Sequence, residues 1–360
     1  MRIRLSSSST ATKTGWTRIT DGCVRIETLD PQAAIELLLA LSGQQDAHAA
    51  AELAEELDYL PLALHQAGAY LHQSRMDIAT YLDNLRRDPA GTLQRVAAGD
   101  PSEHTVARVW SVTLARIAEE DRVAVKVLNV LSWLAPDDLP RDVLHHLSDG
   151  QAAVDHALGV LASYNMIDLT AETVTVHRLV QAVIRAAAIA DGSATATQQE
   201  AINLLSAAAP DNPIDPIDHE GWPRWAALLP HIHALGSHLP ADHQSAAMLD
   251  IQDNAATYQL SQGRAATAIA GYQRVLTNRQ RVQGKDHPAT LATRHYLALA
   301  HLKAGHIADA ITQLDQLLTD QRRIHGDNHP DTLLARHVLA DAHRVARQQR
   351  RRRRIARHRR

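Results

Sequence analysis

The chain has 360 residues, 45% of them hydrophobic, and a formal charge of −3 at pH 7. That length holds two or three domains of roughly 100–200 residues each, and the single cysteine, Cys23, excludes a disulfide framework and a multi-cysteine zinc site. Aromatic residues make up 3% with no phenylalanine, so a core of Ala, Leu, Val and Ile favours closely packed helices over sheets.

Met1 to Thr14 contains two arginines and no apolar run ahead of a small-residue cleavage site, which is not a secretory signal. No segment approaches the roughly 20 apolar residues that span a bilayer. A cytoplasmic protein without a membrane partner is expected. Residues 1–22 are expected to be disordered or degenerate, followed by a strand-like trace, Val24-Arg-Ile-Glu-Thr-Leu29. Residues 23–98 then read as helical. Leu53 to Leu64 follows helical periodicity interrupted by Pro61, and the pattern continues through Gln66-Ala-Gly-Ala-Tyr-Leu71.

Within 99–192, Trp110 to Leu134 reads as two amphipathic helices. Pro140 is expected to open another at its first position, and Ala153 to Leu161 a further one. Met166-Ile-Asp-Leu169 and Val174-Thr-Val176 are short extended runs around Thr170-Ala-Glu-Thr173, a hairpin signal, and a helix follows from Leu179 to Ala188. Helices followed by a small hairpin describe a winged-helix-like module. Its candidate recognition helix, Gln151 to Asn165, contains Asp155 and neither lysine nor arginine. DNA binding draws much of its affinity from cations that neutralise phosphates, so no specific DNA partner is expected. Residues 193–246 read as a helical junction.

Residues 247–343 carry an internal repeat. His287-Pro288 recurs as His329-Pro330 after 42 residues, and Gly263 as Gly305, Gly284 as Gly326, Thr290-Leu291 as Thr332-Leu333 and Leu297-Ala298 as Leu339-Ala340. Each unit reads as two antiparallel helices: Leu249 to Gln262 stops at Gly263, and Ala265 to Val282 stops at Gly284. Such pairs stack into a solenoid whose inner wall binds another polypeptide. After it, an unpaired helix from Asp331 to about Arg344 leads into a tail, 344–360, that holds ten arginines and no acid. The tail is expected to be disordered and to attract anionic partners.

Two resemblances stand on these motifs. Gly284-Lys-Asp-His-Pro-Ala-Thr-Leu291 and Gly326-Asp-Asn-His-Pro-Asp-Thr-Leu333 resemble the tetratricopeptide repeats of kinesin light chain type. In that family an Asn-rich line on the first helix clamps a peptide backbone. Asn254 occupies that place, with Tyr296 and Val338 at the equivalent positions, and the polar first-helix residues Asn254, Arg294 and His295 are the candidate partner contacts. The order of the upstream pieces resembles NB-ARC (STAND-type) signalling NTPases, in a bacterial form. The motifs are Tyr59-Leu-Pro-Leu-Ala63, Val176-His-Arg-Leu-Val-Gln181 and Trp222-Pro-Arg-Trp-Ala-Ala-Leu-Leu-Pro-His231. The resemblance implies that Pro61 packs on an adenine and that His177 reaches the β-phosphate of ADP. On the residues alone, Pro61 is a helix kink and His177 a surface or junction histidine, and both readings stay open.

A P-loop needs a Gly-rich turn followed by Lys and Ser or Thr. The one Gly-Lys pair, Gly284-Lys285, is followed by Asp286 and lies at a repeat junction. The chain therefore reads as a truncated form, beginning near the end of a nucleotide-binding domain, in which ADP or ATP binding requires a P-loop supplied in trans. Metal and acid–base readings fare no better. His145 and His146 are adjacent and splay apart on a helix, His231 and His233 point in different directions, and no His-Glu-x-x-His occurs. No catalytic residue, cofactor or metal is expected. The sequence describes a mostly α protein that is a non-catalytic binding scaffold, with an ADP/ATP-sensing switch or a transcriptional regulator as the alternatives.

Overall fold

The computed structural model describes residues 29–87, 91–92, 106–147, 150–210, 221–240 and 244–358. The 1–22 segment and all of the strand-like trace except Leu29 lie outside them. The chain divides into two compact units, Met1–Glu200 and Ala201–Arg360.

In the first unit, α1 (Pro31–Ser42) starts where the Asp30 carboxylate accepts from the Gln32 and Ala33 amides and ends at Gly43 with φ 71°. The helix expected to run on from Leu53 to Leu71 is instead two, α2 (Ala47–Glu56) and α3 (Pro61–Ser74). Between them Asp58 and Tyr59 both adopt left-handed backbone, φ 55° and 54°. Pro61 opens α3 in its first turn, where a missing N–H leaves no bond unmade. It starts a helix; it does not kink one. With α4 (Ile78–Arg87) these helices close over Leu38, Leu53, Leu57, Leu64, Leu71 and Tyr81, and Leu179 packs into the same cluster.

Next come α5 (Val106–Glu120) and α6 (Arg122–Leu131), the latter capped by Asp121. Pro140 does not open an α-helix. Leu139–Pro140 forms a short strand, β1, and Arg141–His146 a 3-10 turn. After α7 (Gln151–Ser163), β2 (Ile167–Leu169) and β3 (Thr173–Val176) make the expected hairpin, and β1 adds to it in the antiparallel order β1-β3-β2. Along β3, Val174 and Val176 are buried and Thr173 and Thr175 are half-exposed, the period-2 pattern of a strand with one covered face. Helix α8 (Arg178–Ala190) is pinned by buried Gln181, whose amide donates to the carbonyls of Leu131 and Leu134 at 2.9 and 3.2 Å. Leu131 is the last residue of α6, where carbonyls lack intrahelical donors, and Leu134 lies in the turn that follows.

Helix α9 (Ala194–Ala208) crosses the division between the units. The second unit continues with α10 (Trp222–His238), α11 (Ala246–Ser261), α12 (Ala265–Val282), α13 (Pro288–Lys303), α14 (Ile307–His325) and α15 (Pro330–His358). Two turns repeat atom for atom. The Arg264 amide donates to the Gln259 carbonyl at 2.9 Å and the Gly263 amide to Leu260 at 3.1 Å. After 42 residues His306 donates to His301 at 2.9 Å and Gly305 to Leu302 at 3.1 Å. This double bond across a left-handed glycine, φ 75° at Gly263 and 82° at Gly305, is the Schellman stop. The last helix corrects the expected disordered tail: α15 runs through Arg350–Arg354 to His358, because neither proline nor glycine interrupts it after Pro330.

Candidate partner-binding wall and the His177 corner

The first helix of each pair packs against its own second helix and against the next first helix, so α11, α13 and α15 stand side by side. Leu and Ala at helical spacing fill the seams: Leu291, Ala298, Leu314, Leu317 and Ala335 in one cluster, Ala256, Leu260, Ala268 and Leu297 in another. What stays open along the first helices includes a stripe that α13 shows in full, at i, i+4, i+7 and i+11. On α13 it comprises Ala292, Tyr296, Leu299 and Lys303. Shifting by 42 residues gives Asp250, Asn254 and Ser261 on α11, where Thr257 is buried, and Leu334, Val338, Asp341 and Val345 on α15, with Leu334 50% exposed. The first two stripe positions of each helix therefore grade from polar to apolar along the array.

Of the three residues expected to contact a partner, Asn254 lies on this stripe, half-exposed. The other two face elsewhere. Arg294 donates to the Asp320 carboxylate of α14 at 2.7 Å, and that guanidinium holds the Asp320 carboxyl below its usual range. His295 is 8% exposed and set edge-on to Tyr296, with ring centroids 5.7 Å apart; burial lowers its pKa. Both brace the second pair from inside, because the period that opens 292 and 296 turns 294 and 295 toward neighbouring helices.

Behind the wall lies a polar network that sequence reasoning missed. Asp253, 8% exposed, accepts from the Thr293 hydroxyl at 2.8 Å, and burial pushes its carboxyl up to about 6. The Thr257 and Tyr272 hydroxyls share a hydrogen bond of 2.7 Å, and Tyr272 stacks on Tyr296 with centroids 6.3 Å apart. Nearby Arg279, also buried, reaches the Asp250 carboxylate at 2.7 Å. The available signal was weak, since Asp253 sits between Gln252 and Asn254 and reads as one more polar residue of α11.

In the first unit the two residues singled out by resemblance come to one corner. His177 precedes α8, and its Nδ1 is hydrogen-bonded to the carboxylate of Asp58, in the turn that delivers Pro61. The hydrogen bond to Asp58 raises the His177 pKa, and the same bond lowers that of Asp58. The residues present do not fit a phosphate well. A carboxylate already occupies the imidazole Nδ1, and a phosphate brought beside that carboxylate meets like-charge repulsion.

Residues 245–320 match the tetratricopeptide repeat family. A nucleotide-binding leucine-rich repeat (NLR)-like protein of Hyaloscypha variabilis is 26% identical over 258 residues, an alignment covering 68% of this chain and 25% of that protein. The chain thus spans about a quarter of the length of the curated relative it matches. That relative is fungal, so the bacterial form suggested by the motifs draws no support from it. Two crystal structures of a Podosopora anserina putative kinesin light chain with nearly identical TPR-like repeats, one of them a substituted variant, are similar at 20% and 19% identity. They cover 55% of this chain and 81% and 82% of their own, each with a TM-score of 0.32. Among the described residues no helix is long and apolar enough to cross a membrane. The repeat match and the NLR-like relative together support an NB-ARC plus tetratricopeptide architecture, with the repeats in the second unit.

Proposed function

We propose that this chain is a non-catalytic scaffold that holds a segment of another protein along the open stripe of α11, α13 and α15. The graded wall carries the reading. Asp250 and Asn254 offer hydrogen-bonding groups at one end, and Tyr296, Leu299 and Leu334 offer apolar area toward the other. A partner segment with a polar end and an apolar end matches it. The ten arginines of 344–360, with no acid among them, would attract anionic partners.

The ADP-sensing alternative is weaker because Asp58 stands on His177. The DNA-reading alternative is weaker because α7 carries no lysine or arginine, and the neighbouring Arg141 and His145 side chains are held by Asp155 at 2.8 and 3.2 Å. The α7–hairpin arrangement supports a winged-helix reading in which the module packs and transmits and does not read bases. Signal transduction in the cytoplasm is the setting we propose.

Photo-crosslinking amino acids placed at 254, 296 and, on the second helix, at 280 test the wall in the full-length chain. Discrete protein adducts from 254 and 296 but not from 280 are expected. Adducts from 280 alone, or none from the wall, overturn the reading. A calorimetric titration with ADP tests the alternative. Micromolar binding abolished by His177→Ala would put the nucleotide switch first.

A further inference from the structure

The second Schellman turn brings together three side chains that the repeat itself does not require. His301 sits in the last turn of α13, His306 immediately before α14 and Asp309 in the first turn of α14. One ligating atom from each lies within 4.8 Å of the others, and the two imidazole centroids are 5.7 Å apart. His301 is 8% exposed, and neither of its ring nitrogens has a hydrogen-bond partner. A buried imidazole with both nitrogens unsatisfied is costly and calls for an explanation.

The repeat supplies an internal control. The first Schellman turn has the same backbone bonds, and the residues equivalent to 301, 306 and 309 are Gln259, Arg264 and Thr267. That set cannot chelate, so the turn folds without any such cluster. A Schellman stop juxtaposes the side chains three before and two after the cap, usually as an apolar contact. Here both positions are histidine, and a carboxylate follows three residues on. Asp309 alone has a simpler account, since acids are favoured near helix N-termini, but that account leaves His301 unexplained.

We propose that His301, His306 and Asp309 form a site for one divalent transition cation of the zinc, cobalt or nickel class, with water completing the coordination. Two imidazoles and one carboxylate are the donor set of borderline cations, whereas magnesium and calcium select all-oxygen ligands. Bonds of 2.0–2.1 Å in a tetrahedron place ligand atoms about 3.3 Å apart. Closing from 4.8 Å takes a movement of about 1.5 Å. Rotation of the exposed His306 and Asp309 side chains supplies that movement without shifting the helices. The bound cation would tie α13 to α14 across Gly305 and stiffen the wall's middle turn.

The test uses the full-length chain, stripped with a chelator and titrated calorimetrically with zinc chloride and, in parallel, magnesium chloride. Cobalt chloride titration followed by visible absorption reads the coordination number. One tight zinc equivalent, no magnesium binding and a four-coordinate cobalt spectrum are expected. Either His306→Gln or Asp309→Asn should weaken zinc at least about tenfold; both positions are exposed, so neither variant threatens folding. His337→Gln, at an exposed histidine outside the cluster, should leave the affinity unchanged. Weak binding at several equivalent sites, indifferent to His306→Gln and Asp309→Asn, overturns the proposal.

Discussion

The helical pairs α11–α12 and α13–α14 share a backbone and differ in what they bury. At equivalent positions the first pair buries Asp253 and Tyr272 where the second buries His295 and Leu314, and buried Thr257 is matched by Leu299, which opens onto the wall. In the first pair the interior is tied by hydroxyl and carboxylate hydrogen bonds; in the second it is closed by leucine and alanine. The scaffold is thus set by the glycine stops and small seam residues. The interior is free to vary, provided each buried polar group finds a partner.

The largest effect expected from this contrast is a cavity. Leu314 is fully buried, and Leu314→Ala should cost about 2–5 kcal/mol. Tyr272→Phe, at the equivalent position, keeps the ring and loses one hydrogen bond, costing about 1 kcal/mol. Hydrogen exchange resolved to each helical pair measures both changes. Equal costs at the two positions would show that the polar network is as indispensable as the packed leucines.

Asp253 gives the next effect, and it depends on pH. Its folded carboxyl keeps its proton up to about pH 6, against an ordinary carboxyl value of 3.8. Between those values the folded state binds more protons than the unfolded one. The group's contribution is therefore most favourable at low pH and declines as pH rises through about 6. Asp253→Asn should remove that decline, gaining of order 1–3 kcal/mol at pH 8 and little at pH 4. Thermal melts at the two pH values check it. A variant less stable at pH 8 would show the carboxylate to be an asset there.

Smaller still is the shared stop. A Cβ added at Gly263 or Gly305 meets no atom within 4 Å, so only the left-handed backbone resists it. Gly263→Ala and Gly305→Ala should each cost about 1–2 kcal/mol, and by equal amounts, in the same exchange measurement. A larger cost at Gly305 would mean that the histidine turn carries strain its counterpart lacks.

The 42-residue register made these turns and helix limits legible: α12 is observed at the predicted Ala265–Val282. A recurring Gly, His-Pro and Ala at fixed offsets encodes a local backbone and needs no knowledge of distant contacts. The side-chain sites were less legible. Arg294 and His295 look like surface candidates because they are polar on an amphipathic helix, yet Asp320, 26 residues away, claims the first and packing covers the second. The histidine cluster escaped notice because His301 and His306 are five apart, a spacing that separates them on one helix and joins them across a glycine stop. Pro61 misled for a related reason. Helical periodicity runs on through 53–71, and only the left-handed Asp58 and Tyr59, which carry no glycine signal, divide it.

Two aspartates bring the contrast to the level of the units. Asp253, in the repeats, has its pKa raised by burial; Asp58, in the upstream unit, has its pKa lowered by the hydrogen bond from His177. The signs of their pH dependence are opposite. Asp58 contributes stability above its ordinary carboxylate range and loses it as pH falls through its depressed value. His177, with a raised pKa, contributes fully below about 6.5 and loses that contribution as pH rises through the raised value. The pair therefore holds α8 to the α2–α3 turn across mildly acidic to neutral pH. Because Asp58 is 39% exposed, solvent screening limits the effect, and Asp58→Asn should cost about 0.5–1 kcal/mol in that window. An NMR titration of the His177 ring should show its pKa falling in the variant. An unchanged value would mean that the carboxylate is not what holds the proton, and that the corner stays available to a phosphate.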